Sequence, residues 1–289
     1  MEYSIYRGGS MIDIDEHIHQ LIDLAIVEDL DGGIDITSHA TIDESAVGIA
    51  QYHTRESGVI AGIPVAMAVL RKLGITDIAA PVTCAHENSA GTLILTARGN
   101  LRALMLAERT TLNFLTHLSG IATVTRKWVD EVSGTQCQVR DTRKTTPGYR
   151  QLEKYAVRMG GGTNHRMSLS DAALIKDNHI AAAGGVSQAF SAVRSAFPAA
   201  PIEIEVDTLD QLREVLPLKP DLVLLDNMSP ALCIEAVGIV NGATKLEASG
   251  GIVLANARAY AETGVDYLAI GALTHSAAVL DIGLDLRAE

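Results

Sequence analysis

The sequence predicts an α/β protein with a separate N-terminal α+β domain and a TIM-like βα barrel. The barrel is predicted because six short apolar runs each end in a charged or glycine-rich tip and precede a helix-compatible stretch, at residues 136–144, 173–179, 202–207, 222–227, 245–251 and 267–274. In βα barrels the functional groups lie where strands end, and phosphate is often held by the last loops. Aromatic residues make up only 4% of the chain, which suits a barrel interior of Ala, Val, Ile and Leu.

The first 100 residues lack the regular alternation of strand, tip and helix, and this favours a separate domain. Strands are predicted in GIAQYHTR and TLILTARG, which are rich in β-branched and aromatic residues, with the turn-rich SGVIAG after the first of them. Apolar residues at helical spacing predict helices over 15–30, 65–73 and 101–132. The long third helix is expected to break or bend near Ser119-Gly120.

These elements predict an α+β domain over residues 1–118 and a barrel over 119–276 that carries the functional site. The tail, 277–289, is too short for a domain and is expected to return to the first one. The first ten residues are expected to form a loose extension, and the sequence leaves Met1 and Met11 both open as the start of translation.

Composition restricts the class of partner. The net charge of −12 over 289 residues argues against nucleic acid and anionic membranes, but a local cluster of cations can still bind a small anion. No apolar run approaches the roughly 18 residues of a membrane span, and no basic and apolar leader is found. Three scattered cysteines, Cys84, Cys137 and Cys233, form no disulfide framework or metal motif. A cytoplasmic protein is therefore expected.

The segment 140–179 holds the highest density of candidate functional residues. It contains DTRKTTPG, GGGTNHR and LIKDNH, and together these motifs resemble the signature of the quinolinate phosphoribosyltransferase family. The resemblance continues through VEDLDGGIDITS, AERTTLNFLTHLSGIAT, EVDT, LLDN, EASGG and GVDYLAIGALTHS, and so covers essentially the whole chain.

The resemblance implies a function and an assembly. Members of this family join quinolinate to 5-phosphoribosyl-1-pyrophosphate with Mg²⁺, releasing pyrophosphate and CO₂ and leaving nicotinate mononucleotide, a step of NAD biosynthesis. It implies that the fold is an N-terminal α+β sandwich domain plus an incomplete TIM-like βα barrel. It also implies a homodimer with shared active sites, in which Arg109 reaches the barrel of the partner subunit.

Six cationic side chains fit two anionic substrates, because guanidinium forks suit carboxylates and phosphates and lysine offers a compact charge. They are Arg109, Arg143, Lys144, His165, Arg166 and Lys176. Consecutive residues of a strand point to opposite faces, so Arg143 and Lys144 can share a site only if the chain turns there. Thr142 and the following TTPG favour such a turn. A lone surface cation is more often merely solvated, but the predicted strand ends bring these together.

Glu205 and Asp226 end two successive predicted strands. Their carboxylates suit Mg²⁺, bound directly or through water, and the resemblance implies that they face the ribose and the metal. The alternative is a role in capping the next helix, which Asp207 and Asn227 are at least as well placed to fill. With Lys144 and Lys176, these two acids are the predicted catalytic residues.

The last two tips predict a site for the 5′-phosphate, because glycines let backbone amides approach an anion closely. The residues concerned are Ser249, Gly250, Gly251 and Gly271, with His275 as a further donor or simply a residue of the next helix start. The triplet at 160–162 matches no phosphate-loop motif and is expected to be only a flexible lead into the segment with His165.

The predicted reaction is attack of the pyridine nitrogen on C1 of the ribose, followed by loss of the 2-carboxylate. Three alternatives remain open on the sequence alone: a Schiff-base lyase with Lys176 as nucleophile, a molybdenum-transport-associated paralogue of the same fold, and a non-catalytic sensor of a phosphate ligand. The lyase leaves the arginines without a role, and a sensor would release no pyrophosphate.

Overall fold

The computed structural model describes residues 12–289, so the expected N-terminal extension and the choice between Met1 and Met11 fall outside the described residues. Its helices are α1 Glu16–Leu30, α2 Ile36–Thr41, α3 Ile63–Lys72, α4 Leu101–Glu131, α5 Arg150–Met159, α6 Asp177–Ala183, α7 Val186–Ala196, α8 Leu209–Val215, α9 Pro230–Val240, α10 Leu254–Ala261 and α11 Ala272–His275. Its strands are β1 Val47–Thr54, β2 Gly58–Val59, β3 Asp77–Ala79, β4 Glu87–Asn88, β5 Leu93–Asn100, β6 Gln138–Arg140, β7 Ala173–Ile175, β8 Ile202–Val206, β9 Leu222–Asp226, β10 Lys245–Ser249, β11 Tyr267–Ala269 and β12 Ile282–Ala288.

The chain forms two compact units that interleave along the sequence. The first contains the described residues up to Arg126 together with Thr146–Gly161 and Ser276–Glu289. The second contains Lys127–Thr145 and Gly162–His275. The division therefore falls within α4, and α5 belongs to the first unit.

The first unit is built on an antiparallel sheet in the order β12-β1-β5-β3. In β1 every second residue is buried, as expected for a strand with one face on the core. The core includes Tyr52 and Ile94 from the sheet and Leu70 and Leu104 from the helices. Strand β12 pairs with β1 over its whole length, so the C-terminal residues complete this sheet.

Helix α4 is continuous through Gly120, and the predicted break near Ser119-Gly120 is wrong. The glycine is needed for packing rather than for flexibility. A Cβ at Gly120 would collide with the backbone of Ala278 and Val279, which cross the helix there within the first unit. The cost of glycine in a helix, about 0.5–1 kcal/mol relative to alanine, is offset by this close approach.

The first glycine of the triplet at 160–162 is likewise needed for close packing. A Cβ at Gly160 would collide with the backbone of Ala122 and the side chain of Thr125 on α4, and Thr163 then forms a parallel bridge with Arg140. The expectation of a flexible lead is wrong, because both sides of the triplet are held by packing or by backbone hydrogen bonds.

The second unit is built on six parallel strands in the order β6-β11-β10-β9-β8-β7. These are the six predicted runs, and within the described residues β6 and β7 are not paired with each other. All five residues of β8 are buried, as in a sheet covered on both faces. The predicted fold class, a sandwich domain plus an incomplete βα barrel, is confirmed.

Candidate active site

A cavity of about 480 Å³ lies at the C-terminal ends of the six parallel strands, and all the residues that line it belong to the second unit. Its lining consists of Thr142, Arg143, Lys144, His165, Arg166, Leu174, Lys176, Glu205, Leu224, Asp226, Asn227, Glu247, Ser249, Gly250 and Ala269. Ten of the fourteen residues predicted to bind substrate are among them. Gly251, Gly271, His275 and Arg109 are not.

The tip after β6 brings two consecutive cations into the cavity because the strand ends at Arg140 and the chain turns. Thr142 Oγ1 accepts a hydrogen bond from the backbone N–H of Lys144 at 3.0 Å. Thr274 Oγ1 donates to the carbonyl of Lys144 at 2.8 Å. The turn is therefore fixed from both sides, and Arg143 and Lys144 can face one site.

The next pair, His165 and Arg166, is positioned by the buried carboxylate of Asp141. That carboxylate accepts hydrogen bonds from the backbone N–H of His165 at 2.9 Å and from the side chain of Asn164. Arg166 Nη1 donates to the carbonyl of Ala172 at 2.7 Å. Burial, and after it the charge of Arg143, lowers the pKa of Arg166, so the two guanidinium groups concentrate positive charge in one wall.

Each of these guanidinium groups has one N–H donor that is available to a ligand. The Nε atoms of Arg143 and Arg166 are buried and have no hydrogen-bond partner among the described residues. A buried donor without a partner costs about 1–3 kcal/mol. An anion in the cavity would remove that cost.

The predicted acids lie on the two strands beside this wall. Glu205 is buried, and its carboxylate lies 2.7 Å from Nζ of Lys176. Asp226 is half-buried and accepts a hydrogen bond from the side-chain amide of Asn227 at 2.6 Å. Neither acid caps a helix.

The capping alternative for Asp207 and Asn227 is also wrong. Helix α8 is capped by Thr208, whose hydroxyl accepts from the backbone N–H of Gln211. Helix α9 is capped by Ser229.

The glycine tips are shaped by close contacts. A Cβ at Gly250 would collide with the side chain of Asn227, so this position requires glycine for space as well as for its positive φ of 84°. Gly271 lies beside the site, because a Cβ there would be 2.9 Å from Cδ of Lys144 and 3.3 Å from the ring of His275. Gly251 has open space around it.

The floor of the cavity holds a buried charged cluster that the sequence patterns did not reveal. His165 Nε2 lies 2.7 Å from Glu203 Oε2 and 3.5 Å from Glu247 Oε1. Arg140 Nη1 lies 2.9 Å from Glu247 Oε2. The available signal was the placement of these acids: Glu203 precedes Glu205 by two residues in a strand, and Glu247 interrupts an apolar run.

Arg109 lies exposed on α4 in the first unit. Among the described residues it makes no ion pair, not even with the adjacent Glu108. Two histidines outside the predicted site have local partners: His117 pairs with Glu153 at 3.0 Å, and His179 accepts from the backbone N–H of Lys176.

Comparisons with known proteins show the family of this chain. The profile described as "Quinolinate phosphoribosyl transferase, N-terminal domain" matches residues 35–119, and the one for the C-terminal domain matches residues 121–285. A nicotinate-nucleotide pyrophosphorylase [carboxylating] of Mycobacterium leprae is 50% identical over 268 residues, 91% of this chain and 94% of that protein. The probable enzyme of that name from Bacillus subtilis is 38% identical, over 93% of each chain.

A solved structure gives the same result for the fold. The nicotinate-nucleotide pyrophosphorylase from Francisella tularensis superposes with a TM-score of 0.90 at 38% identity, covering 96% of this chain and all of that one. The predicted family and enzyme class are confirmed, and the transport-associated paralogue and the sensor are not favoured. Within residues 12–289, no helix has both the length and the apolar character needed to span a bilayer. From the two matching profiles and the 50% identity, this chain belongs to the quinolinate phosphoribosyl transferase family.

Proposed function

We propose that this chain transfers the phosphoribosyl group of 5-phosphoribosyl-1-pyrophosphate to quinolinate and decarboxylates the adduct, producing nicotinate mononucleotide, pyrophosphate and CO₂. The observation that carries the proposal is the cationic wall with its two partnerless, buried Nε–H groups on Arg143 and Arg166. Together with Lys144 and Lys176 they form a site for several anionic groups at once. The names of the relatives support the same reaction.

Local charge decides the binding of anions here despite the chain's net charge of −12. A cation about 4 Å from a phosphate contributes about 4 kcal/mol at an effective dielectric near 20, whereas scattered surface charges are screened within about 8 Å at physiological salt. The cations of the wall therefore outweigh the acidic surface. In the transition state they stabilise the charge that gathers on the departing pyrophosphate.

The acids on β8 and β9 suit Mg²⁺. Glu205 and Asp226 end neighbouring strands and line the same cavity, and their hard oxygens are the ligands this ion prefers, directly or through water. When bound, Mg²⁺ would neutralise phosphate charge. The same carboxylates favour the positive character that develops on the ribose as the bond to pyrophosphate breaks.

The pyridine ring needs an apolar surface, and the cavity has one. Leu174, Leu224 and Ala269 are its apolar lining residues. We propose that the flat ring packs there while the arginines hold its carboxylates, so that the ring nitrogen is directed at C1 of the ribose. Once that nitrogen is quaternary, the negative charge left on the adjacent carbon by loss of CO₂ is stabilised.

We further propose that the protein acts in the cytoplasm as a homodimer in which Arg109 of one subunit completes the site of the other. The exposure of Arg109 and its lack of an ion pair within the described part of its own chain support this proposal. A two-fold symmetric dimer would present two such arginines, one to each cavity.

The proposed reaction is tested by incubating the purified protein with quinolinate, the phosphoribosyl donor and Mg²⁺. We expect nicotinate mononucleotide, pyrophosphate and CO₂ in equal amounts. Replacing quinolinate with nicotinate should abolish turnover if the second carboxylate is required. Absence of nicotinate mononucleotide would contradict the proposal, and trapping of Lys176 by borohydride with a carbonyl substrate would favour the lyase instead.

The shared site is tested by mixing two variants. Arg109→Ala and Lys176→Ala homodimers should each be nearly inactive. After joint unfolding and refolding at equal concentrations, half of the dimers are mixed and each mixed dimer has one intact site, so about a quarter of parental activity should return. Recovery of no activity in the mixture, from variants that refold alone, would contradict sharing.

A further inference from the structure

The cluster on the cavity floor holds more negative charge than its partners balance. Glu203 and Glu247 are 5% and 0% exposed, and the guanidinium of Arg140 supplies one positive charge. The backbone N–H of Arg166 donates to Nδ1 of His165 at 2.7 Å. A neutral imidazole with Nδ1 as acceptor carries its proton on Nε2, which then donates to Glu203. Two carboxylates, one guanidinium and a neutral ring leave one excess negative charge within the cluster, and the charge of Arg166 beside it acts on Glu203.

A buried charge of this kind is costly, and a single proton removes it. Oε1 of Glu203 and Oε1 of Glu247 are buried and without a hydrogen-bond partner among the described residues. Burial, and after it the charge of Glu203, raises the pKa of Glu247 to about 7, against the opposing effects of a protonated His165 and of Arg140. With the imidazole neutral, as its hydrogen bond from Arg166 requires, only Arg140 opposes the rise. The proton therefore resides on Glu247 in a large part of the molecules at neutral pH.

A divalent metal ion is the other possible occupant, because one atom from each of His165, Glu203 and Glu247 lies within 4.8 Å of the others. The hydrogen bonds argue against it. Nδ1 of His165 is already an acceptor, so Nε2 carries a proton and has no lone pair to offer, and one oxygen of Glu247 is held by Arg140.

Glu247 also lies beside the apolar surface that we propose for the pyridine ring. It lines the cavity, and in the sheet it is directly opposite Leu224 on the neighbouring strand, part of that surface. Decarboxylation leaves an electron pair on C2 of that ring, and a proton must replace the lost CO₂.

We propose that Glu247 is the acid that protonates C2 after decarboxylation; this rests on the proposed function. The bond between C2 and the carboxylate breaks, its electron pair stays on C2, and CO₂ leaves. C2 then takes the proton from Glu247 Oε1, which becomes a carboxylate paired with Arg140. Solvent returns a proton to Glu247 before the next turnover, so the reaction consumes one proton overall.

The test compares Glu247→Gln with the parent in a single turnover. The amide keeps the size of the side chain and an acceptor for Arg140 but has no acidic proton. We expect pyrophosphate to be released at a rate close to that of the parent, while nicotinate mononucleotide forms about 100-fold more slowly, the usual contribution of a positioned general acid. Glu235→Gln, an exposed acid on α9, is the matched control and should behave as the parent.

Isotopes identify the donor directly. In equal parts of H₂O and D₂O, the ratio of hydrogen to deuterium at C2 of the product should differ between the parent and Glu247→Gln, because water replaces the carboxylic acid as donor. An unchanged ratio, or equal slowing of pyrophosphate release and product formation, would overturn the proposal. If the parent itself releases no pyrophosphate from quinolinate, the proposed function fails instead.

A measurement on the parent alone covers the case in which Glu247→Gln does not fold. The infrared spectrum of the free enzyme near neutral pH should contain a band from a protonated carboxyl group, and this band should disappear and return during one turnover. Absence of any protonated carboxyl band in the free enzyme would overturn the assignment of Glu247.

Discussion

The stability of the second unit should depend on pH through Glu247. Its pKa is raised from 4.5 to about 7 in the folded protein. Between these values the folded state holds a proton that the unfolded state has released, so the free energy of unfolding falls as pH rises through this window and levels off above pH 7. At about 1.4 kcal/mol per pKa unit, this single group accounts for a decline of about 3 kcal/mol.

Glu247→Gln should remove that decline, because the amide is neutral at every pH and its nitrogen can donate to the partnerless oxygen of Glu203. Relative to the parent, the variant should therefore gain about 3 kcal/mol between pH 4.5 and pH 7.5. Urea unfolding at several pH values measures this difference. The only tryptophan of the chain, Trp128, is buried and belongs to the second unit, so its fluorescence reports the unfolding of the relevant part.

The control is again Glu235→Gln, which removes one exposed carboxylate and so corrects for the change in net charge. Parallel pH profiles for the parent and Glu247→Gln would refute the reasoning, since they would mean that Glu247 binds its proton equally well in both states.

Five other substitutions test the site and its surroundings. Lys144→Ala and Lys176→Ala should fold normally and lose about two to three powers of ten in kcat/KM, since each removes a charge used in the transition state; near-normal kcat/KM would exclude that lysine from the site. Arg166→Lys keeps the charge but loses the planar fork, so kcat/KM for quinolinate should fall about 100-fold, and parental kinetics would contradict its assignment. Gly271→Ala should lower turnover with little change in Tm, because the added methyl group displaces the side chain of Lys144; a large loss of Tm with full specific activity would argue against this. Gly238 lies in helix α9, and a Cβ added there would have no other atom within 4 Å. Gly238→Ala should therefore raise the free energy of unfolding by about 0.5–1 kcal/mol in urea titrations, and a destabilised variant would contradict this prediction.

The sequence predicted the six parallel strands well, because apolar runs with functional tips reflect both burial and position along the strand. Five of the six predicted cations line one cavity, since parallel strand ends meet at one edge. It failed where long-range packing decides the structure. In the local sequence, Gly120 and Gly160 look like residues that make the backbone flexible. In the structure, Gly120 permits close contact with Ala278 and Val279, and Gly160 permits close contact with helix α4.

The floor cluster was missed for a related reason. Glu247 is a single acid in an apolar run, and only the folded register places it beside Glu203 and His165. Whether a buried acid is ionised depends on the charges around it, which one strand does not show. The helix caps were predicted wrongly because Asp207 and Asn227 have side chains as suitable for N-capping as those of Thr208 and Ser229. The backbone geometry at the start of each helix decides which residue is the cap.

The pairing of β12 with β1 has a consequence for how the molecule is made. Its seven paired positions run from Gly48 with Ala288 to Thr54 with Ile282, so an inner strand of the first sheet can complete its pairing only after the whole second unit has been synthesised. The N-terminal part of this chain therefore cannot finish folding first during synthesis, as contiguous N-terminal domains generally do. Until β12 emerges, one edge of β1 stays open to pairing with another nascent chain, and a chain from which β12 is deleted would keep that open edge permanently.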